Sequence, residues 1–297
     1  MAGSLGFEPR IPSSRGLTEA PFAKWSVIRA DFCIYLDSKR YSSGYKRDLL
    51  HYLDKYFVRI NSPTDIMRVF AKMQRGHRHL WLGFRVVFNF LEATGVRTEV
   101  LAVYRKALPK VRCGIDLNVP EEAGMIQSLC KLSKAPERYV LLYNVLVDSG
   151  LRLVEAVKII TELKSAEHVN GFYRIALGEF RGNKQAYYAY LTEHTYRMLL
   201  AFKGEPLNSV TVSHYYKQRG YIQVKYLRKF AFDKMVELEV PESVADFIEG
   251  RVPKRIGAKH YMVLRRQADK FYGKYDEYLK TLRVKVPKNL TEKNGST

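Results

Sequence analysis

A series of cations leads, in order, to one phenol in the second half of this sequence. Arg152 stands in Ser149-Gly150-Leu151-Arg152-Leu153-Val154-Glu155-Ala156 and Lys184 in Arg181-Gly182-Asn183-Lys184. Lys225 and Arg228 share Lys225-Tyr226-Leu227-Arg228, Arg251 follows Glu249-Gly250, and the order closes on His260-Tyr261. Cations converging on a phosphate, with a phenol as nucleophile, are what cutting and resealing a DNA strand without a cofactor requires. A guanidinium fork binds two non-bridging oxygens at once and keeps its charge, which suits Arg152 and Arg228 to stabilising the scissile phosphate. Tyrosine ordinarily titrates near pH ~10, so nearby cations must favour the phenolate of Tyr261 during attack. Capture of the strand as a phosphotyrosine conserves the bond energy, so neither ATP nor a metal is called for. Lys184, at a turn, suits the proton donor to the leaving oxygen once neighbouring cations lower its pKa.

Taken singly, each residue has an ordinary reading. Arg152 with Glu155 is the spacing of a helical ion pair, and Lys225-x-x-Arg228 describes one face of a basic helix. Lysines are common at turns, and Tyr261 competes with Tyr272, Tyr275 and Tyr278, whose helical spacing reads as packing. The ordered set is far more specific than any member.

These residues need elements to hold them. From about Phe22 to Arg112 the pattern is helical: Phe22, Trp25, Ile28, Phe32 and Tyr35 recur every three or four residues, as do Tyr45, Leu49, Tyr52, Leu53 and Tyr56, and Leu80, Phe84, Val87 and Leu91. Four or five short helices follow, with Ser62 or Thr64 available as N-caps. Arg75, His77, Arg78 and His79 crowd one loop-like segment and Lys46 and Arg47 another, which makes them candidates for phosphate contacts beside the ordinary reading of a solvated surface. The stretch 113–120 holds Gly114 and Pro120 without periodicity and reads as a linker. Beyond it, helices are predicted over Met125–Leu132, Arg138–Val147, Glu193–Phe202, Ser209–Gln218, Val224–Val236, Pro241–Glu249 and Met262–Leu282. Strands over Phe172–Leu177 and Ala186–Leu191 form a hairpin around Gly182 and Asn183. The partition is a disordered tail over 1–20, a helical domain over 21–112, the linker, a second domain over 121–284, and a frayed tail over 285–297.

Composition agrees with a polyanionic partner. The 297 residues carry 50 Lys and Arg against 30 Asp and Glu, a net charge of +20, and phosphate contacts release counterions and give sequence-independent affinity. Cys33, Cys113 and Cys130 are widely spaced and without a CxxC, so they make neither a disulfide framework nor a zinc site. No apolar run is long enough to span a bilayer.

The order of residues from Gly150 to Tyr261 resembles the tyrosine recombinases, and within them the fusellovirus-type integrases of archaeal viruses and plasmids. The N-terminal half matches that family only in length and helical character. The resemblance implies a mainly α fold with a small antiparallel β-sheet: a helical core-binding domain ahead of an α+β catalytic domain. It implies a catalytic set of Arg152, Lys184, Lys225, Arg228, Arg251 and the nucleophile Tyr261, with no cofactor and no metal. Lys225 stands where most of the family has His, and Arg251 where it has His or Trp after Leu-Gly; both substitutions keep donors near the phosphate. Glu155 is expected to orient Arg152. His260 either assists proton transfer or packs as a neutral ring, with packing preferred. Lys46, Arg47, Arg75, Arg78 and Arg181 are DNA-binding candidates.

The implied function is a site-specific DNA recombinase of an archaeal mobile element, acting on double-stranded DNA as a homotetramer through a Holliday junction. It would work in the host cytoplasm at the nucleoid, with no membrane partner. Gly6-Phe7-Glu8-Pro9-Arg10 is what GGN TTC GAA CCN CGN encodes, and GGTTCGAA resembles the T-arm of a tRNA gene, which points to an attachment site inside such a gene. Alternatives are a catalytically silent DNA-binding protein or repressor derived from an integrase, and a type IB topoisomerase-like relaxase. The segment after Tyr261, with Leu264, Phe271, Tyr275, Tyr278 and Leu282, either docks onto a neighbouring subunit or belongs to the intramolecular core.

Overall fold

A computed structural model describes residues 24–39, 41–57, 59–110, 114, 116–162, 165–181, 184–205, 207–252 and 263–287. The tail expected over 1–20 lies outside these residues, as does that expected over 285–297 apart from 285–287. The chain divides into two compact units, Met1–Ile115 and Asp116–Thr297.

The first unit is helical: α1 (Trp25–Ser38), α2 (Ser43–Tyr56), α3 (Pro63–Lys72), α4 (His77–Ala93) and α5 (Thr98–Ala107). Its core takes the periodic residues, with Phe32, Leu49, Leu53, Leu80, Phe84, Val87 and Leu91 all buried. Start signals are local. The Ser42 hydroxyl accepts from the Tyr45 amide at the head of α2, and the Asp65 carboxylate accepts from the Ser62 amide at 2.9 Å at the head of α3. The loop-like readings need correcting. Lys46 and Arg47 lie inside α2, and His77, Arg78 and His79 form the first turn of α4, leaving Arg75 alone in the preceding bend. Gly76, in the left-handed conformation, starts α4 one residue after Arg75, a signal that a cluster of basic side chains conceals.

The second unit holds α6 (Glu122–Leu132), α7 (Glu137–Ser149), α8 (Leu153–Thr161), β1 (Ala166–Val169), β2 (Phe172–Arg181), β3 (Lys184–Thr192), α9 (Glu193–Ala201), α10 (Ser209–Gln218), α11 (Val224–Glu237), α12 (Glu242–Ile248) and α13 (Leu264–Val284). The strands form an antiparallel sheet in the order β1-β2-β3. Fold class is as expected: mainly helical, with a small antiparallel sheet. Helix α7 is buried along nearly its whole length from Tyr139 to Ser149, so the remaining elements pack around it.

Helix α13 settles the C-terminal alternatives in favour of core. Tyr272, Tyr275 and Leu279 are fully buried, and Leu264, Phe271 and Tyr278 pack against the same cluster. The Tyr272 hydroxyl lies within hydrogen-bond distance of the carbonyls of Asp148 and Tyr190, and the Tyr275 hydroxyl donates to that of Val147 at 2.9 Å. The Tyr278 hydroxyl donates to the Glu122 carboxylate at 2.9 Å, so a tyrosine stripe at this spacing is an apolar face whose polar tips all find acceptors.

Asp148, fully buried at the end of α7, ties three elements together. Its carboxylate accepts from the Thr192 amide and hydroxyl, both at 2.8 Å, and from Arg283 of α13. Replacing Asp148 with Ala leaves the Thr192 amide without its acceptor and Arg283 without its carboxylate, only the neutral oxygens of Asn144, Thr192 and Thr195 remaining to it. About 3–5 kcal/mol of stability is expected to go with it, read as a lower urea midpoint.

Candidate active site

Arg152 arises from a chain reversal. Helix α7 ends on Gly150 at φ 58°, and Arg152 then caps α8 in an extended conformation. A side chain at Gly150 is excluded twice, by its left-handed backbone and by space: a Cβ there would lie 2.9 Å from both Cγ and Oε1 of Glu249. The Arg152 side chain, about three-quarters buried, donates from Nη1 to the carbonyl of Gly250 at 2.8 Å and sits 4.0 Å from the buried carboxylate of Glu155.

Arg228 projects from α11 and is 12% exposed at its side chain. Its Nη2 lies 3.5 Å from Oε2 of Glu249, and the same oxygen is 2.8 Å from Nη2 of Arg251. Both Nη atoms of Arg228 are buried, and neither makes a hydrogen bond among the described residues beyond the looser ion pair with Glu249. Burial pushes the Arg228 guanidinium down to about 10, against the pull of Glu249, and pushes the Glu249 carboxyl up to about 7 against Arg228 and Arg251. Both shifts have one origin, the loss of water around a charge.

Arg251 follows Gly250, whose φ of 71° turns the chain out of α12. Its guanidinium also approaches Asp246 at 3.5 Å and covers the ring of Phe232. A backbone bridge pairs Arg251 with Lys184, the first residue of β3. Gly250 makes that approach feasible: a Cβ there would lie 2.8 Å from Cβ of Ala186. The hairpin therefore brings Lys184 beside Arg251, and Arg181 pairs with Lys184 across the strands.

Lys225 stands apart from this cluster. It shares α11 with Arg228, but its side chain is 61% exposed and its ammonium lies 3.0 Å from Asp116, in the segment predicted as linker. Lys229 reaches the same carboxylate at 2.8 Å and donates to the carbonyls of Asp116 and Asn118. Hydrogen bonds from the two lysines hold the Asp116 carboxyl well below the ordinary carboxylate range, and the pair raises Lys225. His260 and Tyr261 lie outside the described residues.

Among the DNA-binding candidates, Arg47, Arg75 and Arg78 are exposed, while Lys46 is paired with Asp37 at 2.7 Å. The sequence reading missed Glu249, which touches two of the cations, and Asp116, which engages a third. Glu249 carried a usable signal: an ionisable residue in the apolar run Phe247-Ile248 at a helix end, between two residues already singled out.

The site can grip an anion. Arg152, Arg228 and Arg251 meet where α8, α11 and the end of α12 approach one another, their guanidinium groups held before a ligand arrives, and the β2–β3 hairpin brings the backbone of Lys184 beside Arg251. Among the described residues no helix is long and apolar enough to cross a membrane.

Comparison with known proteins follows this architecture. A lambda integrase tetramer bound to a Holliday junction shares the fold with a TM-score of 0.59 at 13% identity, over 84% of this chain and 84% of that one. A lambda integrase fragment, a dimer bound to a COC′ core site, gives a TM-score of 0.57 at 12% identity, over 76% of this chain and 94% of that one. At such identity the likeness is one of fold alone. No curated protein sequence matches. The family model described as archaeal phage integrase matches residues 117–278, more than half of the chain and every residue of the cation cluster, and the protein accordingly belongs to that family.

Proposed function

We propose that this protein is a site-specific DNA recombinase that cuts and rejoins strands through a covalent 3′-phosphotyrosyl intermediate on Tyr261. The observation that supports it most is the meeting of Arg152, Arg228, Arg251 and Lys184 around the Glu249–Arg251 turn. In this reading the three arginines hold the non-bridging oxygens of the scissile phosphate and stabilise the charge that builds in the transition state. The Tyr261 oxygen attacks phosphorus, the bond to the 5′-oxygen breaks, and Lys184 gives that oxygen its proton. The 5′-hydroxyl of a partner strand then attacks the phosphotyrosine and releases Tyr261, so the exchange is isoenergetic and needs no external energy source. Lys225 joins the phosphate only after leaving Asp116.

The substrate follows from the charge balance and the family: double-stranded attachment sites of an archaeal mobile element, one of them within a tRNA gene, as the Gly6–Arg10 stretch suggests. The acting assembly is a homotetramer that passes through a Holliday junction, by analogy with the lambda integrase tetramer bound to one.

A suicide-substrate assay tests the reading. Wild type and Tyr261→Phe are incubated with a nicked duplex carrying the T-arm sequence, in chelator, and separated on a denaturing gel. The expected result is a covalent protein–DNA band for wild type and none for the variant. A normal gel shift without a covalent band, on this duplex and on random supercoiled plasmid alike, would leave a silent DNA-binding protein instead.

A further inference from the structure

Glu249 occupies an unusual place. It is fully buried, its side chain fills the space that Gly150 leaves open, and one of its oxygens is shared between Arg228 at 3.5 Å and Arg251 at 2.8 Å. Neither carboxylate oxygen accepts a well-formed hydrogen bond among the described residues. Its charge is therefore sustained chiefly by these two guanidinium groups, with Arg152 a smaller contributor, and a buried carboxylate that loses its partners is costly enough to neutralise. The other groups facing it do not replace them. Asp246 of α12 and Glu155 of α8 are themselves acidic, Arg152 at the head of α8 is committed to the Gly250 carbonyl, and the Tyr275 hydroxyl of α13 donates to the Val147 carbonyl.

We infer that Glu249 is a positioning residue that holds Arg228 and Arg251 in place until a phosphate takes them over, and that phosphate capture is coupled to uptake of a proton by Glu249. This rests on the recombinase reading for the identity of the phosphate. The charges balance. Two arginines and one carboxylate carry a net single positive charge beforehand; two arginines, one phosphodiester and a neutral carboxylic acid carry the same afterwards, the proton coming from solvent. The carboxyl already stands at about 7 with both arginines pulling it down, so their transfer to a phosphate raises it further. The sign follows: capture is easiest at low pH, where Glu249 already holds its proton, and weakens as pH rises past its free-state value. Neighbouring cations would then pass from a carboxylate to a phosphate without ever facing one another unscreened.

The test uses the full chain with the nicked duplex. Isothermal titration at pH 8 in buffers of different ionisation enthalpy counts protons taken up on binding, and covalent-band formation is followed from pH 6 to 9. Wild type is expected to take up close to one full proton more than Glu249→Gln, and its cleavage rate to fall roughly tenfold per pH unit on the alkaline side while that of Glu249→Gln stays flat. A merely structural Glu249 would lower rate or stability and leave both profiles parallel, which overturns the proposal, as does a wild type that takes up no proton. Glu249→Asp guards against misfolding of the Gln variant: its alkaline limb should persist with a displaced midpoint, and an undisplaced one overturns the proposal. A wild type that binds DNA without a covalent band overturns the recombinase reading, while the proton count still decides the role of Glu249.

Discussion

Truncation after Arg265 is expected to abolish the cooperative unfolding transition of the second unit and every activity with it. The cut removes Tyr272, Tyr275, Leu279 and Leu282 from the core, together with Arg283, the partner of Asp148. Deleting one large buried side chain costs about 3 kcal/mol, and a domain has only about 5–15 kcal/mol in all, so the loss exceeds what the unit can bear. Circular dichroism through a urea titration measures it. A truncated chain that melts like the full one and still shifts DNA, yet no longer recombines, would return α13 to the role of a subunit contact.

Arg228→Ala is expected to reduce covalent-complex formation by at least 10²–10³-fold, the range found when one preorganised transition-state donor is removed. It should also lower stability, most at alkaline pH, because Glu249 loses a partner that its buried charge depends on and must take up a proton instead. The two effects are separable. The double variant Arg228→Ala with Glu249→Leu carries no stranded carboxylate, so its urea midpoint should recover most of the loss while cleavage stays absent. Equal recovery of both would mean that Arg228 serves the fold alone; recovery of neither would mean that Leu does not fit against Gly150. Such residues touch one another, so the cycle measures their coupling directly.

Much of this was legible in the sequence because it is written in local pattern. The repeats in α1, α2 and α4 gave one buried face each, and the Gly182–Asn183 turn gave the β2–β3 hairpin. Strand β1 escaped because Ala-Glu-His-Val has no fully buried residue and so no alternation to detect. The arginines that meet around the Glu249–Arg251 turn, and Lys184 beside them, were singled out from residue type and order. Their restraints were not. Glu249 meets Arg228 and Gly150, and Asp116 meets Lys225 and Lys229, across separations that no periodicity spans. Whether a tyrosine stripe faces its own core or another subunit depends likewise on what lies opposite, which for α13 is α7 and β3.

The hairpin that carries Lys184 contains an irregularity between Ala176 and Glu179: β2 uses three steps, with Gly178 at φ 65°, where β3 uses two. Such a bulge inverts the alternation of β2, so the stem that packs on the core and the arm that ends at Lys184 run in opposite phase. Stem and arm are thereby uncoupled. The arm can lengthen or shorten by two residues on each strand, and Lys184 keeps its side of the ribbon; a one-residue change between Lys184 and Ala186 turns it to the other side. Loop-length variation in this region is consequently quantised, and parity, more than length, decides which variants keep a lysine beside Arg251.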